Sequence, residues 1–213
     1  MSKAKSKLTV LVSSTVYGIE ELLDRVYTLL TGYGYEVWMS HKGTIPVHSN
    51  RSAFDDCLAA VDDCDLFLGV ITPQYGSGQG KKHEPEELSI FHQEISRAIE
   101  LKKPRWMLAH EHVVFTRLLL NNLGYKGKDG RSNLEKIARP IDLRVLDIYE
   151  EAIVDKESVP VAARDGNWVQ KFNNTEDGSL FVTAQFFRYQ EVEKFIEENF
   201  ASGSPLPPKG GNS

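Results

Sequence analysis

Cysteine is scarce: Cys57 and Cys64 are the only two, with no CxxC pair. That excludes a disulfide framework and a zinc ribbon, and the expected setting is a reducing cytoplasm. No apolar run approaches the ~20 residues that a membrane-spanning helix needs. The start, MSKAKSKL, is basic, but no apolar signal core follows it. Positive charge is not in excess: 25 Lys and Arg face 30 Asp and Glu, a net charge of −5. Neither nucleic acid nor membrane is therefore an expected partner. G-x-G-x-x-G and G-x-x-x-x-G-K-[ST] are absent, so no dinucleotide fingerprint or P-loop is supported. H-E-x-x-H and G-x-S-x-G are absent too, which disfavours a zinc protease and a serine hydrolase. Of the six histidines, only His110-x-His112 would set two imidazoles on one face, and a third ligand is missing, so no metal is expected.

What is present is ordinary globular composition, 41% hydrophobic and 26% charged over 213 residues. That suits one domain, or one domain with an appendage. Leu8–Val12 (LTVLV) reads as a buried parallel strand. The segment IEELLDRVYTLL places Ile19, Leu22, Leu23, Val26, Leu29 and Leu30 on one helical face. Tyr35–Met39 is a second strand, and a helix from about Ser52 to Val61 follows. Leu66–Ile71 is a third strand. It breaks into a loop with Gly76, Gly78 and Gly80, and then a helix carries Leu88, Phe91, Ile95 and Ile99 at helical spacing. Arg105–Ala109 is a fourth strand, and Val113–Leu123 a helix stopped by Gly124. Gly124–Asn133 reads as an exposed loop and Leu143–Ile148 as a fifth strand. Trp168–Phe172 and Leu180–Thr183 read as short strands around an Asn173–Gly178 turn, and Gln190–Phe200 as a last helix.

Strands alternating with amphipathic helices predict an α/β fold with a parallel sheet covered on both faces. The expected architecture is a flavodoxin-like doubly wound sheet of order 2-1-3-4-5 with a C-terminal α+β appendage. The expected organisation is a flexible N-terminus (1–7), an α/β domain (8–155), an extension packing on that domain (156–200) and a disordered tail (201–213). This order brings the Ser13–Tyr17 loop beside the Thr72–Gly80 loop at the carboxyl edge, where α/β sheets bind ligands. Ser13, Ser14, Thr15 and Tyr17 are thus candidate substrate-binding residues. The hydroxyls of Ser13, Ser14 and Thr15 would either hold a phosphate or ribose at a helix amino terminus or simply cap that helix.

Three blocks resemble a known family. VLVSSTVYGIEELLDRVYTLL, CLAAVDDCDLFLGVITPQYG and LSIFHQEISRAIELKKP are similar, in order and spacing, to a TIR-like family of unknown function whose members open with V-F-V-S-S-T. The resemblance implies a TIR-like fold and kinship with TIR-domain NAD glycohydrolases and nucleoside 2-deoxyribosyltransferases. These cleave the N-glycosidic bond of NAD or of nucleosides with a glutamate on the helix after the third strand, and bacterial relatives often serve in anti-phage defence. Carried over, Glu94 matches the catalytic glutamate, Ser13, Ser14 and Thr15 the first-strand loop, Asp65 and Tyr75 the third-strand block, and Ser89 the helix-start serine. The resemblance also implies self-association, with sites completed by a neighbour, and an effector or sensor partner in a defence system. NAD or a nucleotide would be substrate, with no cofactor.

A carboxylate beside the sugar can stabilise an oxocarbenium-like centre or attack it, as in glycoside hydrolysis. Helical periodicity alone would leave Glu94 a solvated surface residue between Glu87 and Glu100; its spacing from Ser89 favours the site. Tyr75 would stack on a base or bond a ribose, or else pack in the core. Trp38 offers an aromatic face for a base, against a core or subunit-contact role. Asp65 braces its loop. His92, two residues from Glu94, points elsewhere on the same helix. The expected function is N-glycosidic cleavage of NAD or a related nucleotide; the alternative is a non-catalytic module that binds a nucleotide signal or assembles with a partner.

Overall fold

The computed structural model describes residues 7–78, 88–132, 134, 141–153, 160, 163 and 168–199. Gly80, Glu87 and the tail 201–213, each given a reading from sequence, lie outside the described residues, as do residues 1–6 of the N-terminus.

Five strands form one parallel sheet: β1 (Thr9–Ser14), β2 (Glu36–Trp38), β3 (Leu66–Ile71), β4 (Arg105–His110) and β5 (Val169–Phe172), in the order β2-β1-β3-β4-β5. This is the expected flavodoxin-like arrangement, with its switch point between β1 and β3. β1 and β3 are apolar runs because both faces of the sheet are covered. Successive side chains alternate between the faces. Leu66, Leu68 and Val70 pack with Val10 and Val12 against α1 (Glu20–Gly32), α7 (Thr175–Phe186) and α8 (Tyr189–Asn199). Phe67 and Ile71 pack with Leu11 and Met107 against α2 (Ala53–Asp63), α3 (Ile90–Glu100), α4 (Glu111–Asn122) and α6 (Val145–Ala152). The short α5 (Gly127–Ser132) stands outside α6. A Cβ on Gly69 would lie 2.8 Å from Met107 Cε and Sδ, so the missing side chain leaves the space that Met107, its partner on β4, fills.

Three elements depart from the sequence reading. Leu143–Ile148 is not a strand: α6 starts at Val145 and buries Val145, Leu146, Ile148 and Ala152, a helical spacing. The fifth strand is Val169–Phe172 instead, which pairs with β4. Leu180–Thr183 lies within α7, whose start is fixed by Asn174: its side chain accepts from the Asp177 N–H, while the Asp177 carboxylate accepts from the Asn173 N–H. Gly178 and Ser179 are buried on α7 together with Val182 and Phe186, and a Cβ on Gly178 would come within 2.7 Å of Leu22 Cδ1 on α1. Small residues there let the two helices approach, and tertiary packing overrides the β-branched and aromatic bias of LFVT. Finally, the polar stretch after Gly124 is not all loop, because α5 forms within it.

Candidate active site

The site sits at the carboxyl edge of the sheet, at the switch point. Ser13 lies on the same face of β1 as Leu11, the face that α3 covers. Opposite it, Phe91, Ile95 and Ala98 form the buried stripe of α3, and Glu94 falls within that stripe rather than on the solvent side. Ser13 Oγ donates a hydrogen bond of 2.6 Å to Glu94 Oε2. Glu94 is only 6% exposed. Burial pushes its carboxyl up to about 7, and the Ser13 hydroxyl pulls against that shift. Cys57 on α2 is close enough to feel it: burial, then the Glu94 charge, push the thiol up to about 11. A carboxyl poised near neutrality, beside one hydroxyl and a thiol, can act as a carboxylate or hold a proton.

The two loops meet as the strand order requires. The Thr15 hydroxyl is bonded to that of Thr72 and also donates to the Gln74 carbonyl. Gly76 has φ +85, and a Cβ there would lie 2.7 Å from Thr15 Cγ2. Ser89, buried, is the N-cap of α3, accepting from the His92 N–H. The Ser14 hydroxyl donates to the Val70 and Thr15 carbonyls. None of the three hydroxyls of the β1 loop caps α1, whose N-cap is Ile19 with no side-chain bond. Its first turn carries Glu20 and Glu21, which oppose a phosphate at that helix end.

The remaining expected residues are placed apart. Tyr17 is exposed at 73%. Trp38 is half-buried, bonds Glu36 through its indole N–H and packs on the side of the core that α2, α3, α4 and α6 cover. Asp65 accepts from the Thr9 N–H at the opposite, amino edge of the sheet, a brace and not part of the site. His110 and His112 lie ring to ring, 4.6 Å apart, and no cluster of three metal-ligating side chains occurs among the described residues.

Tyr75 is buried, and its hydroxyl meets His92 Nδ1 at 2.8 Å. His92 Nε2 meets Glu151 Oε1 at 2.9 Å, and Ser96 Oγ donates to Glu151 Oε2. Burial raises the Glu151 carboxyl, but the His92 and Ser96 bonds outweigh it and hold the group below its usual range. An ionised Glu151 accepts from Nε2–H, so in a neutral ring Nδ1 accepts from the Tyr75 hydroxyl. The Arg144 guanidinium covers the Tyr75 ring at 4.1 Å. Sequence reasoning set His92 aside because it points away from Glu94, and that direction is right; its buried role needed knowledge of where α6 packs. A groove of about 700 Å³, lined by Trp106, Phe187, Arg188 and Phe195 among others, lies on the α7–α8 side and does not include Glu94.

The class that the strand order defines is a flavodoxin-like α/β fold. The chain belongs to the family described as Domain of unknown function (DUF4062), whose sequence model matches residues 9–199. No curated protein matches the chain in sequence. Among solved structures it is similar to the TIR domains of the activated Roq1 resistosome directly recognizing the pathogen effector XopQ, at 13% identity and a TM-score of 0.44, with 89% of this chain and 99% of that one covered. No described helix is long and apolar enough to cross a membrane.

Proposed function

We propose that the protein cleaves the N-glycosidic bond of NAD or a related nucleotide, as glycohydrolase, cyclase or transferase, within a bacterial anti-phage defence system. The observation that carries this reading is the Ser13–Glu94 hydrogen bond, which sets a buried carboxyl at the ligand-binding edge of the sheet. The bond to a pyridinium base breaks with its electron pair leaving on the base, which departs neutral and needs no proton. One carboxylate then suffices: Glu94 faces the developing positive charge on the sugar, or attacks its anomeric carbon before water or another acceptor displaces it. A carboxyl near 7 ionises readily once a cationic base lies beside it. Ser13 orients the carboxylate, and Tyr75 and Ser89 fix the loop and helix that flank it.

The burial of Glu94 also supports a second reading: a module that binds a nucleotide signal or assembles with a partner, without turnover. The purified protein should be incubated with NAD, NADP and a nucleotide panel, alone and in extracts of phage-infected cells, with base release followed by chromatography. Turnover reduced at least about 100-fold by Glu94→Gln supports the enzyme, since a group acting on the transition-state charge carries an effect of that order. Nucleotide binding without base release supports the module. Base release that Glu94→Gln leaves intact removes the proposed role of Glu94.

A further inference from the structure

The groove of about 700 Å³ beside α7 and α8 takes no part in the Glu94 site, because it opens on the other face of the sheet. Its lining is aromatic where a surface would normally be polar. Phe187 is 65% exposed and Phe195 45%, and half-buried Trp106 joins them. The rings are held from behind. Trp106 leans on the fully buried Phe186, centroids 4.9 Å apart, and Phe187 meets Tyr33 edge-on at 5.4 Å. Polar groups are few. The Trp106 indole N–H reaches Gln185 Oε1 at 3.3 Å, and the Gln185 amide has N–H groups to donate. Arg188 and Glu191, exposed and ion-paired at 3.2 Å, supply one charge of each sign. Exposed aromatic rings with a few donors suit a polyproline II segment. Such a segment makes no internal hydrogen bonds, so its carbonyls seek donors while its rings stack on aromatics.

The chain carries such a segment next to the groove. Helix α8 ends at Asn199, and Pro205-Leu206-Pro207-Pro208-Lys209 follows, a P-x-x-P run closed by a base. We infer that Pro205–Pro208 dock in this groove in polyproline II form, running back along α8, with Lys209 beside Glu191. The lengths agree. Eight helical residues separate Glu191 from Asn199, about 12 Å, and Pro205 to Lys209 in polyproline II form also covers about 12 Å. Ala201-Ser202-Gly203-Ser204 lies between helix and prolines, small residues suited to a reversal. The charges agree as well. Helix α8 has Glu191, Glu193, Glu197 and Glu198 against Lys194, whereas residues 200–213 have Lys209 and no acid. Attachment favours this occupant over a separate molecule. A short linker holds the segment at an effective concentration of about a millimolar, and a preformed helix lowers the cost of ordering it.

Nuclear magnetic resonance of the full chain tests this, with the Trp106 indole N–H as reporter. Nuclear Overhauser contacts are expected from the Pro205–Pro208 ring protons to the Trp106 and Phe187 rings, with upfield ring-current shifts of those protons. Phe187→Ser should abolish both while circular dichroism stays as in the wild type, since that side chain is exposed. Replacing Pro205, Pro207 and Pro208 together by Ser should move the Trp106 signal. A synthetic SPLPPKG peptide added to that triple variant should move it back. The same peptide should bind the wild type at least about tenfold more weakly, because the attached segment already fills the groove. Proline protons without contacts to the groove, or a peptide that binds both proteins equally or neither, would overturn the inference. Contacts found only between labelled and unlabelled copies would place a second copy's segment there and overturn docking within one chain.

Discussion

Ser13 and Glu94, 81 residues apart in sequence, share one buried hydrogen bond of 2.6 Å. It joins the first strand to the third helix across the sheet's switch point, and burial pushes that carboxyl up to about 7 against the pull of the bond. The folded value lies above the unfolded 4.5. Protonated Glu94 therefore contributes stability that is fully present below pH 4.5 and is lost as pH rises through about 7. The shift corresponds to about 3 kcal/mol. Glu94→Gln has no such loss, and its amide oxygen can still accept from Ser13. Denaturant unfolding from pH 4.5 to pH 8 should show the variant gaining on the wild type by about that amount. A difference that stays flat across this range would mean that Glu94 does not titrate near neutrality. Ser13→Ala should move the Glu94 midpoint higher, read by carboxyl NMR, because Ser13 is what lowers it.

That Ser13 and Glu94 meet was readable because each sits in a strongly patterned element. Leu8–Val12 and Leu66–Ile71 can hardly be anything but buried strands, and strand order does the rest. Periodicity alone pointed Glu94 outward; only its spacing from Ser89 pointed inward, and the stripe Phe91, Ile95, Ala98 shows why. Where the reading failed, a short apolar run was ambiguous between helix and strand. LRVLDI and LFVT are such runs. The deciding information was tertiary for α6; for α7 packing on α1 acted together with a local signal, the helix start of Asn174 and Asp177 that the Asn173–Gly178 turn reading concealed. The Tyr75–His92–Glu151 chain could not be read at all, since its third member lies just past the Leu143–Ile148 run that reads as a strand, and where that segment packs was not legible.

Gly76 should resist substitution more than Gly43 does. Both have positive φ, +85 and +64, but nothing lies within 4 Å of a Cβ on Gly43. At Gly76 a Cβ would meet Thr15 Cγ2 at 2.7 Å, and Thr15 is held by Thr72 and the Gln74 carbonyl. Gly43→Ala should cost about 1 kcal/mol for the left-handed backbone alone. Gly76→Ala should cost about 2–3 kcal/mol, backbone strain plus overpacking. Equal midpoints in urea would show that Thr15 yields.

Arg131 is buried at 7% exposure and bonds both Asp147 and Glu150 on α6. Removing it leaves two neighbouring carboxylates with less countercharge, although Arg117 still reaches Glu150. Arg131→Ala should destabilise by about 3 kcal/mol, the low end for breaking a buried pair. Arg131→Lys should recover only part, because one ammonium cannot reproduce the fork. Amide exchange of α6 should quicken in both; protection equal to the wild type would remove Arg131 as its anchor.

Tyr75, His92 and Glu151 form a chain whose members differ in access to water. His92 is 3% exposed, whereas the Glu151 side chain is 44% exposed. Tyr75→Phe strips the donor from His92 Nδ1 where water has little access, a loss of about 1–3 kcal/mol. Glu151→Gln keeps an acceptor for Nε2–H, and water reaches whatever it leaves open, so its cost should stay below about 1 kcal/mol. Stability should therefore fall more for Tyr75→Phe than for Glu151→Gln, although only the second removes a charge. A double-mutant cycle of Tyr75→Phe with His92→Gln should show coupling above about 0.5 kcal/mol, as contacting residues do. The reverse ranking, or strict additivity, would mean that packing under Arg144, rather than the hydrogen-bonded chain, holds Tyr75 in place.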